Sequence, residues 1–276
     1  RSMEMNQFAC ELVRRGGVGD VRVVEAVNYS SPRPFPIGGF EEQPIPTGLD
    51  WERWQGPAPN LPFNQRLQAH YLAGLGVWWG LWEAYSVGFL GAFASHSLDM
   101  VQYALGKDDT GPVELWPVGR DDTGVLRVDF RYADGVEVRN RFPFRFGPKR
   151  RGPGFGAVFV GSDCKIEINR NKFVTNPPDF VTDGPSADVA KKWDGPDSVA
   201  RGHLQNWLDC IKTRQRPNAD AEIGHRTTTL LHLIHITRRL NRRLQWDPQR
   251  ETFPEDPEAN ALLDRPRRVG WELPKV

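Results

Sequence analysis

One histidine and one aspartate, His96 and Asp99, stand in an otherwise small and oily run, GFLGAFASHSLDMVQYALG (88–106). A neutral imidazole accepts or donates a proton near pH 7. An aspartate one helical turn away orients such a ring or raises its pKa. That is the chemistry of a general base, and it is equally the pattern of a structural hydrogen bond inside a core. His203 and Asn206, in HLQN, share one helix face and suit either a substrate contact or a buried hydrogen bond. The chain holds 10 tryptophans, whose indole faces suit the C–H face of a sugar ring as well as they suit a core. Trp51, Trp54, Trp78, Trp79 and Trp82 lie close in sequence; Trp51 and Trp79, together with Tyr85, are the candidate walls of a sugar pocket. His232 and His235 have the spacing of metal ligands, but no third ligand follows at a matching offset, and the flanking leucines favour packing, so no metal is expected. Gly-Ser-Asp at 161–163 lacks the elbow and histidine partner of a serine nucleophile and reads as a turn.

The elements that position these groups follow from periodicity. On a helix of about 100° per residue, Leu90, Phe93, Ala94, Leu98, Met100, Val101, Ala104 and Leu105 form one broad arc. Ala92, His96, Asp99 and Tyr103 form the other. A solvent-facing arc normally carries Lys and Glu; small residues with His, Asp and Tyr suit a helix lining a cleft. QFACELVRRGGVGD reads as a short helix stopped by Gly16, Gly17 and Gly19, and VRVVEAVNY (21–29) as a strand. Residues 30–65 are so rich in Pro and Gly that they predict a long ordered loop. PVELWPVG is a strand. VLRVDFRYADGVEVRNRFPF is a hairpin turning at Asp134-Gly135, and GAVFVGSDCKIEINRNKF a second turning at Ser162-Asp163. Residues 175–200 return to loop. Leu204, Trp207, Leu208 and Ile211 share a face of an amphipathic helix, and Asp220 caps a last helix whose stripe is Leu230, Leu233, Ile234, Leu240 and Leu244. The sum is an α+β fold: a large open, mostly antiparallel sheet with helices on one face.

Bulk properties narrow the function classes. The chain has 276 residues and carries 36 basic against 35 acidic groups, a net charge of +1. That balance excludes a dedicated nucleic-acid or anionic-membrane binder; the basic runs PKRRGP (148–153) and RRLNRR (238–243) read as solvated faces or helix ends. Cys10, Cys164 and Cys210 are too few and too scattered for a disulfide scaffold or zinc knuckle. The residues given contain no signal peptide or spanning helix; the location stays open, with the cytoplasm slightly favoured and a leader before residue 1 still allowed. The chain opens without an initiator Met, as if its start had been removed.

The run YSVGFLGAFASHSLDMVQYALGKDDTGPVE resembles the substrate-domain signature of the Gfo/Idh/MocA family. ACELVRRGGVGDV, LDWERWQGPAPNLPFN, HLQNWLDCIKTRQRPNADAEIGHRTTTLLHL, LQWDPQRETF and ANALLDRPRRVGWEL resemble the same group, in order along essentially the whole chain. The resemblance implies hydride transfer between a sugar or polyol carbon and NAD or NADP. The dinucleotide would sit on an N-terminal Rossmann domain that this chain lacks, so the chain alone is expected to be inactive. Residues 1–19 would be the helix left between the domains, and 20–276 the α+β domain for substrate binding and homo-oligomerisation through the open sheet face. His96 matches the family histidine, as base or as binder of the reacting hydroxyl. Asp99 matches the trailing aspartate that orients helix or ring. Tyr85, Trp51, Trp79 and His203 are the expected substrate contacts. The family aspartate four residues before the histidine is Ala92 here, and the glycine after it is Ala94. A lysine–aspartate–histidine constellation is therefore excluded, and a non-catalytic carbohydrate-binding or scaffold domain stays open. A third possibility uses the redox step transiently to cleave glycosidic bonds.

Overall fold

The computed structural model describes residues 1–34, 39–68, 79–145, 152–193 and 198–274. Trp78 and most of the basic run PKRRGP (148–151) lie outside the described residues. The chain opens with α1 (Glu4–Arg14), which turns Asn6, Ala9, Cys10 and Val13 inward. It ends in a glycine cap: Gly16, at φ +75, and Gly17 donate backbone hydrogen bonds to the carbonyls of Val13 and Leu12. Then follow β1 (Val23–Asn28), the short helices α2 (Trp51–Gln55) and α3 (Gln65–Gln68), a π-helical turn at Leu90–Ala94 and α4 (Ser95–Leu105). The next six elements are all strands: β2 (Glu114–Arg120), β3 (Leu126–Arg131), β4 (Glu137–Pro143), β5 (Ala157–Val160), β6 (Lys165–Asn169) and β7 (Lys172–Asn176) run without a helix between them. The chain closes with α5 (Ala187–Lys191), α6 (Ser198–Thr213), α7 (Ala221–Leu240), β8 (Leu244–Gln245) and α8 (Pro257–Asn260).

The strands form one sheet in the order β7-β6-β5-β1-β4-β3-β2-β8. Every pairing is antiparallel except β1 with β4. Both expected hairpins are present. Asp134-Gly135 turns the first, with Gly135 at φ +90, and the second turns through Gly161, whose amide donates to the Cys164 carbonyl. One sheet face packs Val24, Ala26, Phe130, Val138, Phe159, Ile166 and Ile168 into the core. Helices α1, α4 and α7 cover it. The register leaves Glu25, Glu137, Arg139 and Glu167 on the other face. This is the expected α+β architecture.

Several expectations at element level are corrected. The stretch 30–65 is not wholly irregular: Asp50 accepts a hydrogen bond from the Arg53 amide and starts α2. Residues 172–176, read as the end of a hairpin and the start of a loop, form β7. The last helix stops at Leu240, because Asn241 takes a left-handed conformation at φ +50, and Leu244 belongs to β8 instead of the helical stripe. Arg238 is not a solvated helix-end charge. It donates to the carbonyls of Tyr29 and Leu126 and to Asn28 Oδ1, and burial pushes its pKa down to about 10. The apolar stripe of α6 is real, but Leu204, Trp207, Leu208 and Ile211 are all about half exposed. Asp220 caps α7 as expected, accepting from the Ile223 amide at 2.9 Å.

Candidate active site

Helix α4 is anchored by Leu98, Met100, Val101 and Ala104, which face the sheet core. Gly106, left-handed at φ +67, closes it. The wide turn at Leu90–Ala94 immediately precedes it, and such turns are frequent beside functional sites. With the apolar arc fixed inward, His96, Asp99 and Tyr103 must look the other way, and they do. They line a cavity of about 360 Å³ with residues from α1 (Asn6, Cys10), the segment before it (Arg1, Ser2, Met3), Phe155, Arg170, Trp193 and His203.

The imidazole of His96 is open to solvent at the mouth of this cavity, with its ring edge-to-face on Phe155 at 6.0 Å between centroids. The wall displaces much of its hydration, and this desolvation lowers its pKa. The Arg170 charge pushes the same way, and Asp99 opposes without reversing the sign. The ring is therefore held neutral at neutral pH, the form that accepts a proton. Asp99 is committed elsewhere. Its two carboxylate oxygens accept from Arg1 Nε at 2.9 Å, and Thr227 Oγ1 donates to one of them at 3.2 Å. Arg1 also reaches Asp108 at 2.7 Å and stacks over the Tyr103 ring at 4.8 Å. Burial would lower the Arg1 pKa, but the hydrogen bonds to Asp108 and Asp99 outweigh it and the net shift is upward. Asp99 thus acts on His96 through the field of its charge and through the shape of the wall. His203, at the far rim, shares a 2.7 Å hydrogen bond with Ser2.

Two cavity groups are removed from proton or nucleophilic chemistry by their surroundings. Cys10 is fully buried, and burial pushes its thiol up to about 12. Burial and then Glu11 raise Tyr103 to about 12, so it stays a hydroxyl donor.

The other expected substrate contacts gather elsewhere. Trp79 and Tyr85 line a second cavity of about 300 Å³ with Trp54, Gln55, Pro57, Ala58 and Arg265. Tyr85 faces Gln55 Oε1 at 3.4 Å, and burial raises it to about 12. Trp51 lies behind that cavity. It is 6% exposed, stacks on Trp54 at 4.6 Å between centroids and packs with Phe63, Leu67 and Trp82 in a small satellite core. The aromatic surfaces beside His96 are instead Phe155, Trp193 and Tyr103.

The sequence pattern missed Phe155, Trp193, Arg170 and Asn6. Each comes from a turn or helix distant in sequence, and only the sheet topology delivers them to His96. Among the described residues, no cluster of three His, Cys, Asp or Glu groups is placed to hold a metal. No helix there is long and apolar enough to cross a membrane.

A single open sheet layered with helices, one of them carrying His96 at a polar–aromatic cavity, defines the class: an α+β domain. The chain belongs to the Gfo/Idh/MocA oxidoreductases through their C-terminal domain: the family described as "Oxidoreductase family, C-terminal alpha/beta domain" matches residues 37–142 and 163–273. No curated protein matches the chain in sequence. Among solved structures, the chain is similar to the WlbA dehydrogenase from Bordetella pertussis in complex with NADH and UDP-GlcNAcA. That similarity has 14% identity and a TM-score of 0.50, over 90% of this chain and 62% of that one. It is also similar to the aldose-aldose oxidoreductase from Caulobacter crescentus complexed with glycerol, at 16% identity and a TM-score of 0.47, over 88% and 61%. A third is the myo-inositol 2-dehydrogenase from Lactobacillus plantarum, at 12% identity and a TM-score of 0.46, over 88% and 61%. Likeness at these identities speaks to the fold. The chain spans less than two-thirds of the length of these structures.

Proposed function

We propose that the chain is the substrate-binding and catalytic part of an NAD(P)-dependent oxidoreductase acting on a sugar or polyol hydroxyl, with His96 as the base. The observation that carries this reading is the neutral, solvent-accessible imidazole at the wall of a cavity with aromatic faces and hydroxyl donors. A sugar seated there would lay a C–H face on Phe155 or Trp193 and offer a hydroxyl to the His96 ring. His96 takes the proton from that hydroxyl, and Tyr103 stays protonated at the same wall.

The residues of this chain do not fit a dinucleotide. The Gly16–Gly19 run ends a helix, whereas a phosphate-binding turn opens one. Gly17 and Gly19 are packed on protein: a Cβ on Gly17 would fall 2.4 Å from Leu12 Cδ1, and one on Gly19 2.8 Å from Asp163 Cγ, a carboxylate that repels phosphate. NAD or NADP, held by a separate Rossmann module, would supply the hydride acceptor. In this reading residues 1–19 lead from that module, although α1 already packs into the core of the domain formed by 20–276. The half-buried ionic face of the sheet, with Glu25, Glu137 and Arg139, is our proposed surface for homo-oligomerisation.

The test is His96→Ala in the full-length oxidoreductase. The expected result is a fall in kcat of about 10²–10⁴-fold with KM little changed. Ala92, in the wide turn that leads into α4, favours a second reading, a carbohydrate-binding domain without redox chemistry, because an alanine neither accepts a proton nor anchors a hydroxyl. No turnover of any sugar by the native protein establishes that second reading, whereas an unchanged kcat in the His96 variant removes His96 from the reaction.

A further inference from the structure

We propose that the substrate of the His96 cavity is an anion-bearing sugar or polyol whose negative group is held by Arg170. This rests on the sugar-oxidoreductase reading of the same cavity and narrows its substrate class.

The argument begins with how Arg170 is held. It is the first of the two residues that turn β6 into β7, and that turn is fixed from several sides. Asn6, buried in α1, donates from Nδ2 to the Asn169 carbonyl at 2.7 Å, and its Oδ1 accepts from the Asn171 amide at 2.7 Å. Asn169 Oδ1 accepts from the Arg170 amide at 2.8 Å. Asn171 takes the left-handed conformation at φ +56, which asparagine tolerates, and donates to the Ala190 carbonyl at 2.7 Å. A buried side chain that spends both its donor and its acceptor on one surface turn fixes where Arg170 leaves the backbone.

The second step is a count of charge at the cavity wall. Arg1 pairs with Asp99 and Asp108, and Arg14 approaches Asp108 at 3.7 Å. Two guanidinium groups and two carboxylates form a balanced cluster there. Arg170 stands outside it: among the described residues its guanidinium has no ion pair and no side-chain hydrogen bond, yet it lines the cavity beside His96. Among the charged side chains that line the cavity, Arg170 is therefore the one without an opposite partner, and it stands next to the proposed base.

The third step is chemical fit. A guanidinium is a planar fork that matches a carboxylate with two parallel hydrogen bonds. Phe155 and Trp193 provide apolar faces for a ring next to it, and Ser2 and His203 provide hydroxyl partners at the rim. One free charge matches one carboxylate, so a sugar acid fits better than a doubly charged phosphate ester; the shared feature is the anion.

Binding of glucuronate, glucose 6-phosphate, glucose and sorbitol to the chain, measured by calorimetry, tests this directly. The expected result is glucuronate binding at least about tenfold more tightly than glucose, with the advantage weakened by added salt. In Arg170→Gln that advantage shrinks to about threefold or less while glucose affinity holds, and Arg170→Lys restores part of it. Tightest binding by glucose 6-phosphate supports the proposal with a phosphoryl group as the anion. Equal binding of glucuronate and glucose, or an equal loss of both in Arg170→Gln, overturns it and leaves the sugar reading standing. Binding of none of the four overturns the sugar reading itself. Arg170 is exposed, so its variants are expected to keep the native unfolding midpoint, which circular dichroism checks.

Discussion

The ring of His96 is held in its neutral form by displaced water and by the charge of Arg170, and both push its pKa below the ordinary imidazole value. The sign follows from linkage: a histidine that binds its proton more weakly when folded opposes folding once the pH falls below the unfolded value of about 6.5. It is neutral, and fit to act as a base, through neutral pH. The acid limb of kcat/KM is expected below the ordinary imidazole range. An NMR titration should place the His96 midpoint there, and Arg170→Gln should move it upward; a midpoint unmoved by that change would contradict the electrostatic account. His96, Asp99 and His203 were legible from residue type and helical spacing, because helix periodicity decides which arc a side chain joins. The engagement of Asp99 by Arg1 was not legible, since 98 positions separate the partners and only packing brings them together.

At the scale of elements, α4 and α6 make a contrast. Both carry apolar stripes at helical spacing, yet Leu98 is 1% exposed and Leu208 is 45% exposed. Leu98→Ala should destabilise by about 2–5 kcal/mol, the range for deleting a buried leucine side chain. Leu208→Ala should stay within about 0.5 kcal/mol, as for an exposed site. Urea unfolding of the two variants measures both, and a large loss at Leu208 would show that the α6 stripe is covered in solution. Periodicity found these helices and both hairpins because each is a local pattern. It did not find β7 or β8. Those strands alternate exposed and half-buried positions or span only two residues, and they exist because a neighbouring strand offers them hydrogen bonds. The tryptophans illustrate the same limit: Trp51 and Trp79 belong to the satellite core and the second cavity, whereas Trp193, isolated in a loop sequence, lines the cavity of His96.

For the whole molecule, the proposed division of labour between this chain and a dinucleotide module has a direct check. NADH titrated into the chain should give no fluorescence shift, because Gly17 and Gly19 after α1 are crowded by their own neighbours; saturable binding would overturn the division. The sheet carries a further consequence through its one parallel pairing. β1 lies between β4 and β5, with Val23 opposite Glu137 on one side and Val160 on the other. Neither neighbour exists until the aromatic segment, α4 and two further strands have left the ribosome. The first strand of the domain must then wait, unpaired on both edges, until β4 is made. Its closure is a late, long-range event of the kind that slows folding, and a nascent chain stopped before residue 137 should remain sensitive to protease throughout its N-terminal segment.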